Sequence, residues 1–471
     1  MKMLIGGKWV EKRESIQVTD PFDNSLIDLV PKGSEEDVAL AIESAQRGFE
    51  IAKKMTVYER ATILNRTADY VALHLDEFAT TIAREGSKTI KEARKEANRC
   101  VNTLKISAEE SKRILGETIP FDSFPGGEKR VGYYYRFPIG IILAITPFND
   151  PLNLVAHKLG PAFAAGNSVI LKPATVTPLS ALKLAEAFLA SGLPAECLQV
   201  ITGHGSEIGP SLVKNKAIRM ISFTGGYEAG AEITKIAGIK KIGMELGSNS
   251  PVIVWKDADL LLAVESCVSG AFWAAGQNCI GVQRIYIHQD IYQEFKTRFV
   301  EMTGKYKIGN KLAEDCDMGP MITEKEAIRV ESWVREAIEL GAVCLYGGGR
   351  KGAVMEPTVL EKVPENARIH KDEVFGPAVN LYPVSTLEEA IEKSNSLPFG
   401  LHAAIFTSNV NTALKTAREL DCGGVMINDS TDYRLDSMPF GGIKNSGLGR
   451  EGIKFSLQEM TEPKTVCFYT Y

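Results

Sequence analysis

The sequence lacks a long apolar run and a recognisable secretory signal. Its longest apolar stretch, residues 139–145, is far shorter than the roughly 20 residues that cross a bilayer as a helix. The first residues, MKMLIGGKWV, contain no apolar core followed by a small-residue cleavage site. Both absences argue against a membrane partner, and we expect a cytoplasmic protein.

Two further patterns are missing: the eight cysteines form no C-x-x-C pair, and the charged residues form no block. Scattered cysteines do not fit a disulfide framework or a structural zinc site, so we expect no metal, and a buried inert thiol is the default for each cysteine. A net charge of -5, spread along the chain, disfavours nucleic acid as a partner. Binding to phosphates needs a clustered basic face.

The chain does contain enough apolar material for large cores. Hydrophobic residues make up 44% of it and charged residues 24%, which is typical of a folded protein rather than a disordered one. A length of 471 residues predicts two or three domains.

The clearest organisation is an alternation of short β-prone runs with helical patterns. It predicts right-handed βαβ crossovers and a parallel sheet, which binds ligands at the carboxyl ends of its strands. Before one of the helices, Thr177-Pro178 is expected to supply an N-cap and a first-turn proline. The predicted strands are residues 139–146, 168–171, 198–201, 220–223 and 242–246.

The flanking regions have their own patterns. Residues 34–53 and 57–96 are predicted as amphipathic helices, and residues 251–428 as a second α/β stretch. Residues 130–137 and 465–471 are aromatic and β-prone. Each of these two segments fits either an ordinary edge strand or a strand that pairs across a subunit boundary. The helices predicted in the second stretch are residues 292–306, 323–340, 387–395 and 411–420.

Three polar residues lie where chemistry is possible. Cys279 has Gly276 and Gly281 on either side, and a thiolate is a strong nucleophile when its pKa is lowered. Glu245 ends a predicted strand amid apolar neighbours, where a carboxylate is costly unless it is paired or functional. Asn149 follows the first buried run, and its amide can donate to an oxyanion. On spacing alone, an inert thiol, a surface carboxylate and a turn asparagine fit equally well.

Glycines at one predicted strand end suggest a phosphate site. No G-x-G-x-x-G or P-loop motif stands where a nucleotide-binding fold needs it, but Gly225 follows residues 220–223 and Gly230 comes five residues later. Glycines at a strand-to-helix turn let the backbone approach a phosphate. Alone, these two also fit an ordinary turn.

Taken together, nine short motifs in the same order resemble the aldehyde dehydrogenase superfamily over nearly the whole chain. They are Pro147-Phe148-Asn149, Lys172-Pro173, Phe223-Thr224-Gly225, Glu245-Leu246-Gly247, Gly276-Gln277-Asn278-Cys279, Glu373-Val374-Phe375-Gly376-Pro377, Pro398-Phe399-Gly400-Leu401, Pro439-Phe440-Gly441-Gly442 and Lys444-Asn445-Ser446-Gly447-Leu448-Gly449-Arg450-Glu451.

The resemblance implies an α/β fold of the aldehyde dehydrogenase type and a homo-oligomer, either a dimer or a tetramer. It has three parts: a Rossmann-like cofactor domain, an α/β catalytic domain and a small β oligomerisation arm. Their predicted ranges are residues 1–118 with 139–247, residues 248–443, and residues 119–138 with 460–471.

The same resemblance implies NAD or NADP as the cofactor. Lys172 matches the lysine at the adenosine ribose and Glu373 the glutamate at the nicotinamide ribose. Thr175 stands where many NAD-preferring relatives carry a glutamate that would repel a 2′-phosphate, so NADP should be tolerated; alternatively, Thr175 only helps to cap the following helix. The implied cofactor-binding residues are Thr146, Pro147, Phe148, Lys172, Thr175, Phe223, Thr224, Gly225, Gly226, Gly230, Leu246, Gly247, Glu373 and Phe375.

The implied chemistry is oxidation of an aldehyde to a carboxylic acid. Cys279 attacks the carbonyl as a thiolate, and the Asn149 amide and the Cys279 backbone N–H hold the oxyanion. After oxidation, Glu245 activates the water that hydrolyses the thioester. The branch that passes the thioester to coenzyme A usually lacks this glutamate, so a free acid is the expected product.

The substrate is expected to be a small polar or anionic aldehyde, such as lactaldehyde or a semialdehyde. His157 resembles a histidine of phosphonoacetaldehyde and lactaldehyde relatives, and Arg434 lies in the loop at the family's substrate mouth. An ion pair of Arg434 with Asp432 or Asp436 is the structural alternative. The predicted substrate-binding residues are His157, Asn278, Arg434 and Phe440.

Other functions remain open at this point. Non-phosphorylating glyceraldehyde-3-phosphate oxidation is weakened because Asn278, not arginine, precedes Cys279. Oxidation of succinate semialdehyde is another alternative. A catalytically silent binding relative is disfavoured because Cys279, Glu245, Asn149 and Glu373 are all present.

Overall fold

Helices and strands of a computed structural model, which describes all 471 residues, form two α/β units and a small β arm. The helices are Glu35–Ala52, Val57–Leu73, Leu75–Glu85, Ile90–Ser111, Asn153–Ala165, Leu179–Ala190, Gly205–Lys214, Tyr227–Ile236, Leu260–Phe272, Gln289–Thr303, Glu324–Glu339, Arg368–Lys371, Leu387–Asn395, Val410–Glu419 and Ile453–Glu459. None of them is long and apolar enough to span a bilayer.

The first unit contains the predicted parallel sheet. Its five parallel strands lie in the spatial order Leu198–Val200, Ser168–Lys172, Ile141–Ile145, Ile218–Thr224 and Lys241–Glu245. This confirms the expected βαβ organisation. The sequence analysis did not predict the strands that extend the sheet at its edges. They are Met3–Ile5 and Lys8–Val10 on one side and Gly447–Leu448 on the other.

The second unit contains a seven-stranded sheet, and its strands are parallel except at one edge. The chain enters it directly from the first sheet, because Ser250–Val254 follows Lys241–Glu245 after a short link. In spatial order its strands are Val343–Tyr346, Thr358–Glu361, Ala378–Val384, Val282–His288, Ser250–Val254, His402–Phe406 and Gly424–Ile427.

The third sheet is an arm made from the two aromatic segments. Arg130–Pro138 and Thr461–Tyr469 pair antiparallel with each other, from Thr461 opposite Pro138 to Tyr469 opposite Arg130. The short strand Glu117–Thr118 covers the other edge of Arg130–Pro138. Within one chain, the outer edge of Thr461–Tyr469 therefore has no strand partner. The remaining short strands are Ser15–Thr19 with Leu26–Pro31, and Arg350–Lys351 with Val354–Met355.

Residues 57–96 form three helices, so the prediction of one amphipathic helix was wrong. The first ends at His74, outside helical geometry with φ -105° and ψ 25°. The second ends at Gly86, whose backbone is extended. A new helix begins after Thr89, which forms a reciprocal capping box with Glu92. The apolar period survives these breaks, which explains the error.

The helix Asn153–Ala165 was not predicted because it has no polar face. All of its residues are buried, so no apolar stripe marks it in the sequence, and it contains Pro161. The expected N-cap at Thr177 is also wrong. The helix Leu179–Ala190 is capped instead by the distant Glu85, whose carboxylate accepts bonds from the backbone N–H groups of Leu179 and Ser180 over 2.7 and 2.8 Å.

A buried lysine joins the two α/β units. Lys311 follows the helix Gln289–Thr303 of the second unit, and its ammonium pairs with Asp20 of the first unit over 2.8 Å. The same ammonium donates to the Gly86 carbonyl over 2.6 Å. Both partners of the ion pair are nearly inaccessible to solvent, with exposed side-chain fractions of 1% and 9%.

Candidate active site

Two cavities meet at Cys279. The first, of about 430 Å³, runs along the carboxyl ends of the first sheet; the second, of about 380 Å³, opens toward the helix Ile90–Ser111. Four residues line both: Asn149, Leu154, Gln277 and Cys279. A molecule in one cavity therefore reaches the same sulfur as a molecule in the other.

Cys279 lies on a loop with an unusual backbone. Ala274, Ala275 and Gly276 all have left-handed φ values, of 50°, 55° and 69°. A Cβ on Gly276 would lie 2.2 Å from the Gly376 carbonyl oxygen, so only glycine fits there. Glu92, in the first unit, accepts a hydrogen bond from Ala274 N over 2.9 Å. The loop is thus held in a shape that alanine does not prefer.

The Cys279 thiol faces apolar neighbours. It packs against the cluster of Ile280, Leu401 and Phe440. Burial raises the pKa of Cys279 to about 12, although the Arg434 guanidinium acts in the opposite direction. The thiol is therefore protonated at neutral pH in the free protein, and its activation needs a proton acceptor.

Glu245 is a buried carboxylate that lines the first cavity together with Cys279. Its Oε2 atom has no hydrogen-bond partner. Burial raises the pKa of Glu245 well above its ordinary value, and the negative charge of Glu451 adds to this effect; Arg434 and Lys158 oppose it. An unpartnered carboxylate with a raised pKa has the properties of a general base.

The loop that carries Asn149 is fixed from both sides. Lys88 pairs with Asp150, the next residue along the chain, and with Glu96 over 2.8 Å. The other Glu96 oxygen accepts from Leu152 N over 2.8 Å and so holds the start of the helix Asn153–Ala165. Asn149 itself lines both cavities, in a position to donate to an oxyanion formed at Cys279.

Glycines shape the sheet side of the first cavity. A Cβ on Gly225 would lie 2.6 Å from the Phe223 ring, and one on Gly230 would lie 2.6 Å from Leu246. Gly225 and Gly226 line the cavity, but Gly230 does not. Gly230 therefore lets the helix Tyr227–Ile236 pack closely, and the turn at Gly225 leaves the backbone accessible to a ligand.

Glu373 lies at the far side of the first cavity. It accepts from Ser248 N over 3.0 Å, and a Cβ on Gly247 would lie 2.0 Å from its Oε2. Burial raises the pKa of Glu373 to about 7. Phe148 and Phe375 stand perpendicular, with ring centroids 5.6 Å apart. A carboxylate and two rings around a glycine cradle fit a ribose and a flat heterocycle.

Lys172 and Thr175 lie just beyond the first cavity. The Lys172 ammonium donates to Thr175 Oγ1 over 3.3 Å, and the hydroxyl donates to the Gly203 carbonyl over 3.0 Å. Thr175 therefore does not cap the following helix. Burial lowers the pKa of Lys172 to about 8, so the ammonium remains mostly charged at neutral pH.

Eleven of the predicted cofactor residues line the first cavity, and Lys172, Thr175 and Gly230 do not. Six further residues line it that were not predicted from the sequence: Ile145, Ala174, Ala229, Gln277, Glu326 and Arg329. Those that were predicted and line it are Thr146, Pro147, Phe148, Phe223, Thr224, Gly225, Gly226, Leu246, Gly247, Glu373 and Phe375.

The second cavity has an excess of cationic side chains. Four cationic and two anionic residues line it, along with Asn278 and Phe440 from the sequence prediction. Among these charged residues, only Arg434 was predicted to bind substrate. The sequence does not show whether a charged side chain faces a cavity or open solvent. The cationic residues are Lys88, Lys95, Arg99 and Arg434, and the anionic ones are Asp150 and Asp432.

Arg434 is held by Glu451, so the structural alternative of an ion pair with Asp432 or Asp436 was wrong. Its Nη2 donates to Glu451 over 3.0 Å, and its guanidinium lies 3.7 Å from the Phe440 ring centroid. Glu451 also pairs with Lys158 over 3.0 Å. Although burial acts to raise the pKa of Glu451, the two cations hold it at about 2.

His157 does not reach either cavity, contrary to the expectation that it contacts substrate. It is buried on the helix Asn153–Ala165, and its Nε2 bonds Asp436 over 2.9 Å. No group of three or more His, Cys, Asp or Glu side chains is placed to hold a metal ion.

Comparison with known proteins adds a family. Residues 9–466 match the aldehyde dehydrogenase family. Aspartate-semialdehyde dehydrogenase 1 of Pseudomonas canavaninivorans is 50% identical over 452 residues, which cover 96% of each chain. The 3-sulfolactaldehyde dehydrogenase of Priestia megaterium is 45% identical over 464 residues, covering 98% of this chain and 97% of that one.

Solved structures agree. Aldehyde dehydrogenase 21 from Physcomitrella patens, in complex with the reaction product succinate, is 38% identical; it superimposes with a TM-score of 0.97 and covers 99% of this chain and 98% of its own. Glyceraldehyde-3-phosphate dehydrogenase GapN from Methanocaldococcus jannaschii, complexed with NADP, is 40% identical. Its TM-score is 0.94, with 98% of this chain and 100% of that chain covered.

Proposed function

The chain belongs to the aldehyde dehydrogenase family and is an oxidoreductase that acts on aldehydes with NAD or NADP, and from that premise we propose that Cys279, Asn149 and Glu245 carry out the reaction. The observation that carries this proposal is the meeting of the two cavities at Cys279. The first cavity takes the nucleotide and the second takes the aldehyde.

The Cys279 thiol provides the nucleophile. Its proton passes to Glu245, because the raised pKa of this carboxylate makes it a stronger base than an exposed glutamate. The thiolate sulfur then attacks the aldehyde carbon, and the Asn149 amide and the Cys279 backbone N–H donate to the resulting oxyanion. Removal of one such donor costs about 10²–10³ in rate.

The first cavity fits a dinucleotide, which supplies a hydride acceptor when bound. A glycine cradle at Gly247 abuts Glu373, and this carboxylate can accept hydrogen bonds from the nicotinamide ribose. Lys172 provides a cation where a 2′-phosphate would lie, and no carboxylate stands at Thr175 to repel it. NADP is therefore accepted.

Glu245 completes the cycle. Once Cys279 holds an acyl group and Glu245 has released the thiol proton to solvent, the Glu245 carboxylate takes a proton from water, and the oxygen of that water attacks the thioester carbon. The C–S bond breaks, the leaving thiolate takes the proton from Glu245, and the acid leaves with the new oxygen. The products are the carboxylic acid and the free thiol.

The substrate is a short aldehyde with an anionic group at its far end. Four cations face two carboxylates in the second cavity, and Asn149 and Cys279 lie at its inner end. Arg99 and Arg434 are suited to carboxylate or sulfonate, since a guanidinium pairs with either through two N–H donors. The relatives named for aspartate semialdehyde and 3-sulfolactaldehyde support this class.

Steady-state assays of reduced nicotinamide test the proposal. We expect a carboxylated or sulfonated aldehyde to exceed a neutral aldehyde of equal length by at least about tenfold in kcat/KM, as one charge-assisted contact provides. Cys279→Ser should remove turnover with every aldehyde. Full turnover by the Cys279→Ser protein would refute the mechanism, and equal kcat/KM values would refute the substrate class.

The arm mediates a homo-oligomer, a dimer or a tetramer. The outer edge of Thr461–Tyr469 is unpaired within the chain, and Phe468 and Tyr469 are exposed on it. Such an edge is usually covered by another chain. Analytical ultracentrifugation should show a species at least twice the chain mass of 51.4 kDa; a monomer at micromolar concentration would contradict it.

A further inference from the structure

Arg99 depends on a buried carboxylate for its orientation. Its side chain is about one-third exposed, on the wall of the second cavity. Its Nη2 donates to Asp436 Oδ1 over 2.8 Å, and its Nη1 lies 3.8 Å from Asp150. A flexible side chain of this length loses rotamer freedom when it is held, so the Asp436 contact largely decides where the guanidinium points.

Asp436 is in turn held by two further side chains. The same Oδ1 atom accepts from Asn153 Nδ2 over 3.3 Å and bonds His157 Nε2 at 2.9 Å. Asp436 is nearly inaccessible to solvent, so water does not replace these contacts. Any loss of a donor on this side frees the carboxylate to turn.

His157 has one polar contact, and that contact is Asp436. The side chain is completely buried, and its Nδ1 atom has no partner. Burial lowers the pKa of His157, so the ring is neutral and carries a single N–H. That N–H must lie on Nε2 to donate to the carboxylate. A buried ring nitrogen without a hydrogen-bond partner lowers stability. The remaining bond, from Nε2 to Asp436, is therefore the feature of His157 that we expect to serve function.

We propose that His157 is a positioning residue that acts through Asp436 to hold the Arg99 guanidinium toward the anionic end of the substrate. The inference rests on the proposed function, because Arg99 must meet an anionic group for its orientation to affect catalysis. It assigns His157 a role in substrate selection although the ring lies outside both cavities.

Two variants that differ by one methylene group test this. In His157→Gln the amide nitrogen can occupy the place of Nε2, whereas in His157→Asn it falls near Nδ1 and cannot reach Asp436. For each we would measure kcat/KM with a four-carbon aldehyde that carries a carboxylate and with butanal, and take the ratio. We expect the ratio to fall about tenfold in His157→Asn, the loss typical of one hydrogen bond to a charged group. In His157→Gln it should stay within about twofold.

Arg99→Met separates this inference from the proposed function. Its ratio should fall at least about tenfold, since it removes the charge itself. If Arg99→Met lowers the ratio and His157→Asn does not, or if His157→Asn lowers both rates equally, the positioning role is wrong. If Arg99→Met leaves the ratio unchanged, Arg99 does not bind the anionic group and this inference is wrong, whereas the proposed substrate class is tested separately by the ratio in the parent protein. Should His157→Asn fail to fold, His157→Leu is expected to give the same fall.

Discussion

A carboxylate placed at position 175 should make the enzyme use NADP less well relative to NAD. Thr175 Oγ1 lies 3.3 Å from the Lys172 ammonium, so the longer side chain of Thr175→Glu can pair with that lysine. The pair withdraws the cation from a 2′-phosphate and sets a like charge beside it. NAD has no phosphate there, and its ribose hydroxyls can donate to the new carboxylate.

The size of the expected change follows from the repulsion between the new carboxylate and a 2′-phosphate. Two unit charges 4 Å apart interact by about 4 kcal/mol at an effective dielectric constant of about 20. Thr175 is only half-buried, so screening by solvent should reduce this to about 2–3 kcal/mol. The ratio of kcat/KM for NADP to that for NAD should therefore fall by about 30- to 150-fold.

The assay compares both nucleotides at one saturating aldehyde concentration. Thr175→Gln is the matched control, because it has the same length without the charge, and it should change the ratio by no more than about threefold. An unchanged ratio in Thr175→Glu, or an equal change in Thr175→Gln, would show that charge at this position does not select the nucleotide.

Three other results are expected. Glu245→Gln should slow steady-state turnover by about 10²–10⁴ and also slow the single-turnover formation of reduced nicotinamide, because both the acceptor of the Cys279 proton and water activation are lost; a normal steady-state rate would refute its role. Burial raises the pKa of Glu373 to about 7, and the ionised form accepts ribose hydroxyl bonds better, so nucleotide Kd should fall as pH rises through 7. Calorimetry of Glu373→Gln should show no such trend; a slope equal to that of the parent protein would contradict it. Gly276→Ala combines a left-handed φ with a Cβ clash, and urea unfolding should show a loss of about 2–4 kcal/mol; unchanged stability would show that the loop relaxes freely.

The parallel sheet was predictable because its strands are buried runs separated by helices. Each run, such as residues 139–146 and 168–171, is continuous and apolar, and periodicity detects that directly. The edges were not predictable in this way. The strand Gly447–Leu448 pairs with Lys241–Glu245 from two hundred residues away, and its two residues carry no pattern of their own.

Predictions from neighbouring residues failed where a residue distant in sequence makes the contact. Thr177 precedes a helix and has the right chemistry for a cap, yet the Glu85 carboxylate satisfies the helix N–H groups. Arg434 has two acidic neighbours in sequence, but it pairs with Glu451, which lies 17 residues further along the chain. Such choices depend on tertiary packing, which a single sequence does not display.

The candidate site divides in the same manner. The resemblance of short motifs to the aldehyde dehydrogenase superfamily singled out Cys279, Glu245 and Asn149 as candidates, because on spacing alone each of them also fitted an ordinary structural role. The cationic wall of the second cavity could not be predicted, since Lys95 and Arg99 lie on a helix and Lys88 lies just before it, and all three fit an ordinary solvated face equally well. Their direction became clear only when the helix Ile90–Ser111 was placed beside the cavity.

The buried pair of Lys311 and Asp20 couples the stability of the two α/β units. Lys311→Met would leave the Asp20 carboxylate buried without a partner, at a cost of about 3–5 kcal/mol in stability. The two units whose residues meet at Cys279 are therefore joined by a contact in which neither charge can be removed alone.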